Sequence, residues 1–206
     1  MFFKRKKNNG ERKLIKAHLK LIEQFQEEIT ILETVIKDLK EKRGNYPDAF
    51  VVPNTLLFFR LSFLDIFILC KQYLETNKEF EKLILAKQIS AATYELLDDL
   101  PTIYGKRFKT AIEGTENEKE ILEGRVKLQK SLNTFKSEFS MELKEIRNFT
   151  IAHKDHDSLR QLEIINCISQ NRIKVLIASI HIIWFAIMDF EKTIRKPIKE
   201  KLNDNA

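Results

Sequence analysis

Glycine and proline together fill only nine of 206 positions, five and four respectively, about 4% where roughly 12% is usual. A chain with so few turn formers must build long elements. β-Sandwiches and barrels need a turn every ten residues or so and are excluded on this ground. Folds that cradle a phosphate in a glycine-rich loop are excluded too, because no such loop occurs in the chain. Length leaves room for one domain. The apolar share of 43% and charged share of 32% are those of a globular chain with a core.

Helical spacing fills the long stretches. Leu14, Leu21, Phe25, Ile29, Leu32, Ile36 and Leu39 recur at intervals of three, four and seven, predicting an amphipathic helix over Glu11 to Arg43, stopped at Gly44. Asn45 to Asn54, with Pro47 and Pro53, reads as a loop. Thr55 to Thr76 is apolar on most sides and is expected to be central. Glu79 to Leu100 follows, with Pro101 expected to break or bend it, and Lys106 to Glu113 adds one or two turns. A long helix is predicted from Glu118 to about Ala152, a short one from Leu159 to Ser169, and a last one from Arg172 to Arg195, ending before Pro197. Convincing strand alternation and internal repeats are both lacking. The fold class expected is all-α, an up-and-down bundle of five to six helices, as one domain over residues 11–206 behind a flexible basic arm, residues 1–10.

The net charge of +6 is concentrated at one end. Residues 1–20 hold eight bases and one acid, +7, and the other 186 hold 28 bases and 29 acids, −1. An arm of this kind can attract RNA, DNA or anionic lipid, or be merely solvated. Met1-Phe2-Phe3 runs straight into Lys4-Arg5-Lys6-Lys7, so no secretory leader is expected. Cys70 and Cys167 each sit among apolar residues, as buried thiols of a cytoplasmic protein do. Val175 to Phe190 is the most apolar run. At 16 residues, with His181 and Asp189 inside it, it is short for a bilayer crossing, and no stable membrane insertion is expected.

Histidine is the side chain most readily poised for proton transfer near neutrality, and there are four. His181 lies in an apolar run and reads as a neutral core residue with one hydrogen-bond partner. His18 splits the gap between Leu14 and Leu21 and reads as a seam residue. His153 continues the seven-residue row of Leu132, Phe139 and Ile146 and falls where its helix should end. Arg147 lies six residues earlier, about 120° around a regular helix and about 9 Å along it. The two converge only if the helix loosens or a second chain brings its own pair alongside. Asn148 adds a neutral donor and acceptor beside the arginine.

The segment Arg147-Asn148-Phe149-Thr150-Ile151-Ala152-His153-Lys154-Asp155 resembles the signature of the HEPN superfamily: an arginine, a polar residue, a few more positions, a histidine and a charged ending. A bare arginine–histidine pair at the same spacing also occurs at Arg12 and His18, without the polar second residue. The resemblance implies a metal-independent endoribonuclease that works as a homodimer, often a toxin or antiviral-defence effector checked by an antitoxin-like partner. It implies Arg147 on the phosphate of an RNA substrate, His153 in proton transfer and Asn148 in positioning, with no cofactor and no metal. One alternative is a non-catalytic helical module for dimerisation or protein interaction. Another is an HD-type phosphohydrolase, with His156-Asp157 joined by His18 and Asp189 around Mn, Fe or Mg. Tyr104, Lys106, Arg107 and Lys109 form a basic and aromatic group that could stack on and pair with RNA, or be a plain surface patch. Asp98-Asp99 reads as a solvated helix end. Glu116, Glu118 and Glu120 suit the positive start of the fourth long helix.

Overall fold

A computed structural model describes residues 9–43, 50–148, 159, 163–164 and 169–203. Among these the chain is 93% helical, in six helices with no strand, an all-α bundle as its turn-poor composition requires. The helices are α1 (Asn9–Arg43), α2 (Val51–Glu75), α3 (Glu79–Ile103), α4 (Lys106–Ile112), α5 (Glu118–Arg147) and α6 (Gln170–Asn203). The expected helix over 159–169 lies for the most part outside the described residues, as does any continuation of α5 from Phe149 to Ala152.

Proline positions account for the boundaries that differ from expectation. α2 begins at Val51, four residues earlier than expected, because Pro53 falls in its first turn, where the missing N–H has no helical acceptor to lose. α3 runs through Pro101 to Ile103. The chain turns at Gly105, where a Cβ would come within 2.9 Å of the Thr102 carbonyl oxygen. After α4, Gly114 takes a left-handed φ of 72°, a conformation that a side chain would strain. α6 continues over Pro197 to Asn203 instead of stopping before it; the proline removes one backbone hydrogen bond without dictating an end.

Contacts between helices give the topology. Glu11 on α1 meets Lys174 on α6, His18 meets His181, and Arg60 of α2 joins Glu28 to Glu191. α1 and α6 therefore run parallel, with α2 antiparallel to both. Gln170 donates to Glu79 at one end and Tyr104 packs on Phe190 near the other, so α3 runs with α6. Arg172 bonds Glu142, and Gly124 lies against Phe190 and Thr193, so α5 runs against α6. The five long helices follow up-and-down order, with the short α4 in the link between α3 and α5. The starts of α1, α3 and α6 and the end of α5 share one end of the bundle.

Phe25, Phe59, Phe63, Phe67, Phe139, Trp184 and Phe190 fill the middle, each at most 2% exposed. Each such burial contributes about 1.5–3 kcal/mol before entropy is counted. α2 is central as expected, yet it buries a charge, Arg60. α2 and α6 are each long and apolar enough to cross a membrane by length and composition alone, a test that the core helices of soluble proteins also pass.

Candidate functional site

The end of α5 carries the expected motif. Leu132, Phe139, Leu143 and Ile146 fix the helix by their burial. Arg147 follows Ile146 and is turned about 100° from it, toward α3. Its guanidinium lies 5.8 Å from the ring centre of Tyr94, and its side chain is 33% exposed. Among the described residues the carboxylate paired with it, Glu95 Oε1, is 3.9 Å from Nε, too far for a hydrogen bond. Nε is buried without a hydrogen-bond partner. A guanidinium nitrogen reaches Asn148 Oδ1 at 3.5 Å, the long limit of a bond. Asn148 keeps helical angles, and its N–H closes the last turn on Lys144 and Glu145 carbonyls. Arg147 and Asn148 thus stand side by side at the end of α5, against the middle of α3, with donors only loosely occupied. His153, the third residue of the motif, lies outside the described residues, as do His156 and Asp157.

Two other arginines show what saturation looks like. Arg172 bonds Glu142 Oε2 at 2.8 Å, the Glu138 carbonyl oxygen at 3.0 Å and Glu138 Oε1 at 3.3 Å, and lies 4.3 Å from the ring centre of Phe139. Arg60, wholly buried, grips both Glu191 oxygens at 2.7 and 2.6 Å and bonds Glu28 through Nε. It also lies over Trp184, 4.9 Å from the ring centre. Burial would lower the Arg60 pKa, but the Glu191 and Glu28 bonds and charges outweigh it and the net shift is upward. This three-helix ion cluster was missed in the sequence. Its signal was there: one cation in an otherwise apolar stretch, Leu56 to Leu64, must find an acid.

His18, fully buried, and His181, half-buried, make a pair. Nδ1 of His18 donates to the Leu14 carbonyl oxygen at 2.8 Å, which leaves its Nε2 as acceptor. Nε2 of His181, 3.2 Å away, is then the donor. Phe67 flanks both rings. Burial lowers both pKa values, that of His181 to about 4 with the neighbouring His18 as a second cause. Burial favours the neutral form of both; His181, read from the sequence as a core histidine, is half-buried, and His18, read as a seam residue, is fully buried between α1 and α6. The HD-type arrangement is not assembled by the residues in view. Asp189 is exposed beside Lys192, about 12 Å along α6 from the histidine pair. Among the described residues no group of three or more metal-ligating side chains forms.

The aromatic group after Pro101 is corrected in one respect. Tyr104 is 3% exposed, packed against Phe59, Phe108 and Phe190, and cannot stack on a base. Phe59 and Phe190 lie on distant helices and left no local mark. Its hydroxyl has no hydrogen-bond partner, and burial raises its pKa well above the usual value, Glu191 adding to the effect. Lys106, Arg107 and Lys109 are exposed. Cys70 is buried, and burial alone pushes its thiol pKa up. Cys167 lies outside the described residues. Asp98 and Asp99 are exposed, and Glu118 accepts the Gly114 N–H at the start of α5. Comparison with models of protein families, with curated proteins and with solved structures finds no match for this chain.

Proposed function

We propose that this chain is a metal-independent endoribonuclease of HEPN type. Arg147 holds the phosphate, Asn148 orients it and His153 moves the proton. The 2′-hydroxyl of RNA attacks its neighbouring phosphorus and the bond to the 5′-oxygen breaks, leaving a 2′,3′-cyclic phosphate and a 5′-hydroxyl. His153 takes the hydroxyl proton or supplies one to the leaving oxygen. A planar guanidinium can bind two phosphoryl oxygens and offset the charge that develops on them. The same proposal includes a second copy of the chain, cytoplasmic action as a toxin or antiviral effector, and an inhibitory antitoxin-like partner.

The observation that carries it is Arg147 itself. In a fold that saturates Arg60 and Arg172 with carboxylates, Arg147 ends α5 beside Asn148 with no carboxylate of the described residues in hydrogen-bond range. The exposed bases Arg12, Lys13, Lys16 and Lys20 stand on the first turns of α1, at the same end, where a polyanion would be drawn. Expression of the wild-type chain should slow bacterial growth, and Arg147→Ala or His153→Ala should each relieve it. Purified protein should cut RNA in EDTA and leave the termini named above. Removing one charge-stabilising donor should lower the rate about 100-fold or more. Cleavage that needs Mn²⁺, or that survives both substitutions unchanged, refutes the proposal.

A second reading, a non-catalytic module that works by association, is favoured by an exposed apolar row on α6, formed by Val175, Ala178, Ile182 and Phe185.

A further inference from the structure

We infer that the outward face of α6 is a self-complementary seam on which a second copy of this chain packs antiparallel. The inference goes beyond the nuclease reading and does not depend on it. The residues are Asn171, Val175, Ala178, Ile182, Phe185, Asp189 and Lys192, spaced 4, 3, 4, 3, 4, 3, and all seven are exposed. That is the spacing by which helices mesh side by side. The opposite face, with Ile173, Leu176, Ile177, Ile180, Ile183, Trp184, Ile187 and Phe190, is already buried in the bundle. α6 therefore carries two apolar faces, and the fold uses one. Ile182 is 64% exposed, Phe185 63% and Val175 46%, contiguous and large, whereas single exposed apolar residues would need no explanation.

Charge and size choose the occupant and its direction. Turned antiparallel about Ile182, each helix sets Phe185 over Ala178 of the other, a large side chain into the gap above a small one. The same register brings Asp189 to Lys174, which flanks Val175 at the far end of the row. The Asp189–Lys192 pair at 2.7 Å is exposed, and the half-buried Lys174–Glu11 pair at 3.7 Å is too long for a hydrogen bond, so both exchange at little cost. A parallel pairing would instead stack Asp189 on Asp189. Insertion into a bilayer would bury Asp189 among lipid tails, since it sits on the row itself. The antiparallel dimer leaves the two Arg147 ends at opposite poles, so this contact is distinct from any that would join two Arg147 sites.

Sedimentation of the full chain tests the seam. Through this seam the wild type should sediment above the 24.4-kDa monomer at micromolar concentration, as a dimer by this contact alone and as a larger assembly if the Arg147 ends pair as well. Ile182→Glu, at the two-fold axis where the new carboxylates meet, should weaken association about 100-fold or more and leave the circular dichroism spectrum unchanged. Asp189→Lys should weaken it about 10-fold, and adding Lys174→Glu should restore it by exchanging the partners. A monomeric wild type overturns the inference. So does a dimer indifferent to Ile182→Glu, or a chain that binds anionic vesicles through this row in place of itself. RNA cleavage read in the same variants keeps the two proposals apart, because the seam substitutions leave the Arg147 end intact.

Discussion

Arg60 carries the largest single risk to the fold. Its side chain is fully buried, and Glu191, 2% exposed, has its carboxylate bonded to the guanidinium. Replacing Arg60 by methionine would strand that carboxylate in the core, which costs about 3–5 kcal/mol. Against a total of roughly 5–15 kcal/mol, that is a large share. Arg60→Met should therefore lower the urea midpoint severely, and Arg60→Met with Glu191→Leu should recover most of it. Failure of the double variant to recover would mean that the cluster does more than neutralise itself. Tyr104 makes the opposite case. Its buried hydroxyl lacks a hydrogen-bond partner, so Tyr104→Phe should be neutral or stabilising by about 1 kcal/mol in chemical denaturation. A clear loss of stability would show that the hydroxyl is satisfied in solution.

At the scale of elements, the His18–His181 pair links α1 to α6. Burial depresses both folded-state pKa values, that of His181 to about 4, while an exposed histidine titrates near 6.5. As pH falls, the unfolded chain takes up these protons first. The stability tied to the pair is complete above about pH 6.5 and is lost between about 6.5 and about 4. Urea midpoints at pH 7.5 and pH 5 should differ for the wild type, and the difference should shrink in His18→Phe with His181→Leu. An equal pH response in the double variant would assign it elsewhere. The existence and order of the helices were legible because apolar spacing is a local property. Their ends were less so. Pro53, Pro101 and Pro197 all punctuate the sequence, yet each is tolerated where it falls in its helix. The approach of α5 to α6 at Gly124, where a Cβ would come within 3.2 Å of Phe190, left no sequence signal.

For the whole molecule, stability and activity should separate. Arg147 lacks a tight pair, so Arg147→Ala should move the unfolding midpoint by less than about 0.5 kcal/mol while removing RNA cleavage. An Arg147→Ala protein that unfolds like Arg60→Met would make Arg147 a structural residue and leave the nuclease reading without its phosphate ligand. The bundle brings the exposed bases of α1, the end of α5 and the start of α6 to one end. The chain order alone does not show this, since Glu11 and Lys174 are far apart in sequence.

By itself the sequence determined that this protein is helical, how many long helices it has, and their order along the chain. Those properties follow from the spacing of apolar side chains and the scarcity of turn residues, which act within a few positions. Only the tertiary structure decided that Arg60 would be neutralised, that Tyr104 would be lost to the core, that His18 would meet His181, and that α6 would keep a second apolar face exposed. Each depends on partners 32 to 163 positions away or on which face of a helix the bundle covers. A buried charge or ring is stabilised by what surrounds it in space, and local pattern carries no record of that.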